Sequence, residues 1–383
     1  MCIYIPYKIR RKRSFLYSKL PYRLIAKLPP IYLSSDTSVD AWRKRRAEIY
    51  DLFATEVFGK FPEGSRDGFT FKVTKKEQRS GYTFTEVVAT KEDFSCPFHI
   101  YLPDLVEKPF IIVHALLECY RNEYNPEDPS DYHIEPDITS IPTSYILSKG
   151  VGVVHYQVGD VVHDTLGSEN TGLLKTLIKE RKADSPKAIG AWAFFASVIA
   201  DYLFANGIAT AGKLGIAGHS RGGKTALWAG ASDERFSVVC SSNAGCTGDS
   251  LARLTYGEKI KDINRRFPYW FCDNYNKYNK NVNAMPFDFH ELLALIAPRY
   301  LYVTSSWADA WACPKNQYLA LEAAQIVWQK TYNLSGLICD NRPKMGVSYH
   351  SGHLAHHIKD GRHSFALQDW AKLLEFIKVK NLI

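Results

Sequence analysis

Two rhythms of apolar residues alternate along this chain of 383 residues. Residues 40–58 carry Trp42, Ile49, Leu52, Phe53 and Val57 at helical spacing, with Lys44, Arg45 and Arg46 on the opposite face, and so predict an amphipathic helix. Residues 69–73, 82–89 and 98–102 alternate apolar and polar positions, which predicts half-buried strands at an antiparallel edge. Residues 110–115 and 150–156 are instead continuous apolar runs, as strands buried on both faces require. Between them, residues 117–142 are rich in Asp, Glu, Asn and Pro and read as a long loop at a strand's carboxyl end, where α/β sheets build their sites. The helical rhythm returns at 188–206, packing Trp192, Phe195, Ile199 and Leu203.

Residues 213–230 read as a short strand, a tight turn and an Ala-rich helix. Residues 236–240 form another strand, and 253–278 are aromatic-rich and irregular. A short helix at 292–296 leads into a strand at 300–304, and residues 315–332 are helical. A last strand at 355–358 precedes a closing amphipathic helix marked by Leu367, Trp370, Ala371, Leu374 and Ile377. Strands alternating with helices and no intervening linker predict an α/β fold: a three-layer αβα sandwich with a mostly parallel central sheet, built as one domain from residues 36–383.

Charge changes this picture at one end only. The net charge is +8, yet Lys8, Arg10, Arg11, Lys12, Arg13, Lys19, Arg23 and Lys27 all precede the first acidic residue, Asp36. The body is therefore neutral and gives no argument for nucleic acid. Residues 1–35 read as a flexible basic leader; an interfacial segment using Tyr4, Phe15, Leu16 and Tyr17 is the other reading. Arg10–Arg13 breaks any apolar run, so neither a signal-peptide core nor a transmembrane segment is expected. Cys2, Cys96, Cys119, Cys240, Cys246, Cys272, Cys313 and Cys339 show no metal-binding spacing, and free buried thiols are expected. No metal or cofactor is implied, and a monomer is expected.

The candidate chemistry lies in Gly218-His219-Ser220-Arg221-Gly222, which fits G-x-S-x-G between an apolar strand and a helix. Such a turn strains the serine and aims the free N–H groups of a helix start at any charge developing beside it. Arg221 and Lys224 oppose the helix dipole in that first turn. Either something negative or polar binds nearby, or both side chains extend to water.

A serine nucleophile needs a base, and the base needs an orienting acid. In folds with this elbow, the order along the chain is serine, acid, histidine. His363 follows the last strand in an Asp-Gly turn and fits the base; His353, His356 and His357 are rivals that fall in or before the strand. Asp309 follows the 300–304 strand and fits the acid, its alternative being a solvated loop aspartate. The other position used for the acid, after the strand that follows the nucleophile, holds Asn243, which carries no charge.

Assembled, these residues resemble the glucuronoyl esterases (carbohydrate esterase family fifteen), especially their bacterial branch, within the α/β-hydrolase superfamily. Gly218-His-Ser-Arg-Gly-Gly-Lys224 is similar to that family's G-x-S-R-x-G-K elbow, and Ser242-Asn-Ala-Gly-Cys-Thr-Gly248 to the segment after it. Residues 286–299, Asp309-Ala-Trp311 and His357-Ile-Lys-Asp-Gly-Arg-His363 with Asp369-Trp370 resemble further family blocks, as does Trp42-Arg-Lys-Arg-Arg-Ala-Glu-Ile49. The resemblance runs from about residue 40 to the end.

The resemblance implies Ser220 as nucleophile, His363 as base and Asp309 as acid. It implies Arg221 in the oxyanion hole, through its N–H and its guanidinium. Lys224 and Glu258 would hydrogen-bond sugar hydroxyls, and Trp311 would shape the sugar site. It departs from the family where some members place a glutamate at 243, and where Cys313 replaces an Asp common before the following proline. Family members are typically exported, whereas no export signal is legible here. The expected function is hydrolysis of (4-O-methyl-)glucuronic acid esters, such as glucuronoxylan–lignin linkages. The alternatives are an acetyl-xylan or general carboxylesterase and a catalytically silent carbohydrate-binding relative.

Overall fold

The predicted alternation of strands and helices resolves into one sheet. In the computed structural model, residues 25, 27–117, 141–253, 255–339 and 343–383 are described. The expected loop at 117–142 falls almost wholly outside the described residues, as do residues 1–24 of the leader and Cys2 and Cys119. Among the described residues, ten strands pair in the order β1-β2-β3-β5-β4-β6-β7-β8-β10-β9. The antiparallel edge is β1 (Thr70–Arg79), β2 (Tyr82–Lys91) and β3 (Phe94–Pro103). β5 (Val151–Gln157) takes the edge antiparallel to β3. β4 (Phe110–Leu116), β6 (Leu214–His219), β7 (Val238–Ser242), β8 (Tyr300–Ser306) and β10 (Leu354–Lys359) then run parallel.

Both faces of these strands are covered, which explains the unbroken apolar runs of β4 and β5. Ile111 and Val113 face one core with α2 (Ala188–Ala205) and the elbow helix α3 (Arg221–Ser232). Phe110 and Ile112 face the other, against the last helix, Leu367–Val379. α1 (Val39–Phe53) and the turn after it (Ala54–Phe58) reach the elbow helix from outside: Trp228 stacks on Phe58 at 4.4 Å and on Tyr50 at 4.9 Å between ring centroids. α2 is apolar and long enough to cross a membrane, yet most of it is buried inside this fold.

Several expectations need correction. Residues 27–35 of the expected flexible leader include docked chain: Ile31 is 5 % exposed, its carbonyl accepts from Arg45 Nε at 2.9 Å, and Pro29 O bonds His290 Nε2 at 3.0 Å. Arg45 and Arg46 do not point to water from the polar face of α1. Arg45 pairs with buried Glu291, and Arg46 donates to Ala231 O and Leu295 O, carbonyls at two helix ends. Orphan carbonyls of this kind attract cations that can snorkel inward on long stems. The irregular 253–278 stretch contains a helix, α4 (Ile260–Arg266). The expected 292–296 helix lies earlier, as α5 (Phe289–Ala294), because Asp288 and Glu291 form a capping box that starts it there. The 315–332 helix is two, α6 (Pro314–Ala324) and Ile326–Lys330. A two-residue edge strand, β9 (Ser348–Tyr349), is too short to leave a pattern.

Candidate active site

The candidate side chains lie in the segments that follow parallel strands at their carboxyl ends, or on the helix after β6. β6 turns into α3 at Ser220, whose backbone sits at φ 57° and ψ −124°, a left-handed conformation costly for a residue with a Cβ. The turn closes because Gly218 has no side chain: a Cβ there would lie 2.0 Å from Gly222 O. Ser220 N–H donates to Ser242 O at 2.8 Å, fastening the turn to β7. The first N–H groups of α3 have no intrahelical acceptor and are available beside the serine.

The structure brings His363 and Asp309 together. His363 Nδ1 bonds Asp309 Oδ2 at 2.5 Å, while Ala312 N–H donates to Asp309 Oδ1 at 3.1 Å. Asp309 is buried and the His363 side chain is 37 % exposed, so the carboxylate is shielded and the imidazole is open on one side. The two loops are joined by backbone bonds, Trp307 N to Lys359 O at 2.9 Å and Ala308 N to Gly361 O at 3.0 Å. The His363 ring packs on His219, the residue before the serine, with centroids 4.5 Å apart. Burial, reinforced by the ionisable neighbours His363, Lys359 and Arg221, pushes His219 well below the usual histidine range, so it is a neutral wall. Ser220 itself makes no hydrogen bond to His363 here; such contacts are often long in ligand-free enzymes and tighten with substrate.

The rival histidines are accounted for by packing. His356 is buried and bonds Val303 O at 2.9 Å, His357 bonds Asp369 at 3.0 Å, and His353 stacks on Tyr300. Asn243 is buried as well, among Ser242, Ser306 and Ser364.

Arg221 sends its Nε to the carboxylate of Asp164, forming an ion pair beside Trp270. Asp164 in turn accepts from Trp270 Nε1 at 2.7 Å. This ion pair holds the guanidinium beside the carboxylate of Asp164. Sequence reasoning missed Asp164 and Trp270. The signal for Asp164 was its position in the loop after β5, at the carboxyl edge of the sheet.

Lys224, Glu258 and Trp311 form one network. Lys224 is 2 % exposed and its ammonium meets Ala244 O at 2.6 Å, Cys246 O, and Glu258 Oε2 at 3.3 Å. Trp311 Nε1 donates to the other oxygen of Glu258 at 3.0 Å. Gly257 lets the two segments touch, since a Cβ there would lie 2.2 Å from Trp311 O. All three Lys224 protons therefore have protein acceptors in this structure. Glu258 is buried and no ordinary surface acid, while Trp311 is 37 % exposed with the Arg266 guanidinium 4.9 Å over its ring. Among the described residues, no cluster of His, Cys, Asp and Glu is arranged to hold a metal ion.

Residues 124–331 match the family model described as glucuronyl esterase, fungi. A solved glucuronoyl esterase from Solibacter usitatus superposes with a TM-score of 0.82 at 30% identity, covering 92% of this chain and 97% of that one. Carbohydrate esterase MZ0003, from an unknown prokaryotic organism, is 29% identical over 371 residues, which is 89% of this chain and 85% of that protein. A 4-O-methyl-glucuronoyl methylesterase from Wolfiporia cocos is 32% identical over 204 residues, half of this chain and 48% of that protein.

Proposed function

The chain belongs to the glucuronoyl esterase family, carbohydrate esterase family fifteen, and on that footing we propose that Ser220, His363 and Asp309 hydrolyse esters of (4-O-methyl-)glucuronic acid through an acyl-enzyme. The observation that carries this reading is the Asp309–His363 pair standing beside a strained elbow serine, next to the Lys224–Glu258–Trp311 network.

Ser220 Oγ attacks the C6 carbonyl of the uronate as His363 takes its proton, with Asp309 holding the imidazole in the required tautomer. Charge developing on the carbonyl oxygen meets the N–H at the start of α3 and the anchored guanidinium of Arg221. A preorganised donor of this kind contributes about 3 kcal/mol to the transition state. The protonated His363 then hands its proton to the departing alcohol. Water activated by the same base cleaves the acyl-enzyme.

Glu258 and Trp311 meet the sugar. Each oxygen of Glu258 holds one protein donor, and an ionised carboxylate can accept about four hydrogen bonds, so acceptor sites remain for sugar hydroxyls. Lys224 acts through Glu258 by fixing its carboxylate. A hydrolysis assay comparing benzyl glucuronate with p-nitrophenyl acetate tests this. Wild type is expected to prefer the uronate ester, and Glu258→Gln to narrow that preference at least tenfold. Preference for the acetate, or a ratio untouched by the substitution, counts against the reading.

A further inference from the structure

Asn243 follows β7 with its backbone at φ 47° and is 1 % exposed. Its carboxamide joins three parts of the site. Ser306 N–H donates to Asn243 Oδ1 at 2.8 Å, and Asn243 Nδ2 donates to Ser306 Oγ at 3.1 Å, to Ser242 Oγ at 3.3 Å and to Ser364 O at 3.2 Å. The orientation of the amide is dictated by two backbone groups: Ser306 N–H can only donate and Ser364 C=O can only accept.

These partners flank the proposed acid and base. Ser306 begins the turn to Asp309, whose N–H bonds Ser306 O at 3.1 Å. Ser364 directly follows His363 and is fully buried, so water cannot take the place of a lost donor. A second buried donor converges on the same carbonyl: Lys359 Nζ reaches Ser364 O at 2.6 Å. Lys359 is itself paired with Asp369, which also accepts from Thr304 Oγ1 at 2.8 Å, Ala366 N at 2.9 Å and His357 at 3.0 Å. One carbonyl next to the base is thus held between the end of β7, through Asn243, and the end of β10, through Lys359. Aspartate in place of Asn243 would keep an acceptor for Ser306 N–H, but it would set a carboxylate oxygen against Ser364 O.

We infer that Asn243 is a positioning residue that sets His363 against Asp309 by tying the acid loop to the base loop. It touches neither residue, and the inference rests on the reading of His363 as base and Asp309 as its acid. The test measures kcat and KM on benzyl glucuronate, with thermal melts, for wild type, Asn243→Ala, Asn243→Asp, Asp309→Ala, Asn243→Ala/Asp309→Ala and His363→Ala. Misplacing a catalytic group by about 1 Å costs roughly 100-fold. Asn243→Ala is expected to lower kcat between about 10- and 100-fold with KM within about twofold. In the Asp309→Ala background the same substitution should cost less than about threefold, because contacts acting on one unit are non-additive. Asn243→Asp, isosteric with the native side chain, should be impaired like alanine because it loses the amide donor. Equal losses in both backgrounds, or a wild-type kcat in Asn243→Asp, overturn the inference. Wild-type turnover by His363→Ala overturns the underlying reading of the site, and that result is separable from the others.

Discussion

Replacing Gly218 by alanine adds a single methyl group at the point where strand β6 passes under the first turn of α3. The added Cβ would stand 2.0 Å from Gly222 O, 2.3 Å from Gly222 C and 2.9 Å from Gly223 N. All three are backbone atoms, so no side chain can swing away. Ordinary contact begins at 3.4 Å, so the nearest atom must retreat by about 1.4 Å. Two movements are open: α3 lifts from the sheet, or the turn rotates and takes Ser220 with it. Lifting α3 disturbs its packing on Val239 and on the Phe58–Trp228 stack, at the roughly 1–3 kcal/mol typical of overpacking. Rotation displaces the nucleophile by about the 1 Å that costs roughly 100-fold in rate. The assay is kcat on a glucuronate ester together with chemical denaturation. Gly218→Ala is expected to lower kcat by about 100-fold and stability by roughly 1–3 kcal/mol. A variant within about threefold of wild type in kcat and unchanged in stability would refute the close-approach argument for this turn.

Trp228→Ala removes the ring between Phe58 and Tyr50 and is expected to cost about 3–5 kcal/mol by denaturant titration; a loss under 1 kcal/mol would mean that α1 is not held by this stack. Burial would raise the Asp369 carboxyl, but Lys359 and His357 outweigh it and hold it at about 2, below the ordinary 3.8. A depressed folded pKa stabilises above the unfolded value and loses that contribution as pH falls from about 4 toward 2, so about 2 kcal/mol is lost between pH 6 and pH 2. Asp369→Asn should be less stable than wild type at pH 6, with the gap narrowing by about that amount at pH 2; a gap independent of pH contradicts the assignment.

Much of the architecture was legible because α/β order writes itself in period and run length. Continuous apolar runs marked β4 and β5, and position after successive strands singled out Ser220, Asp309 and His363 as candidates. What escaped the sequence depended on where long side chains go once folded. Arg45 and Arg46 sit on the polar face by spacing, yet carbonyls at distant helix ends draw them inward. Lys224 carried a legible clue in its helix position, but only the fold brings Ala244 O and Cys246 O to its ammonium. Asn243 was noticed for lacking charge, and its bonds to Ser306 and Ser364 span separations that no local pattern encodes. Asp164 and Arg221 likewise meet only across the sheet's carboxyl edge.

The most direct test of the central claim is covalent capture of the nucleophile. An alkyl fluorophosphonate reacts with a serine activated by a neighbouring base, and intact mass with peptide mapping locates the adduct. A single adduct on Ser220, absent in Ser220→Ala and formed at least about 100-fold more slowly in Asp309→Ala and His363→Ala, is the predicted result. No adduct on folded wild-type protein, an adduct at another serine, or equal labelling rates in all three would contradict the triad.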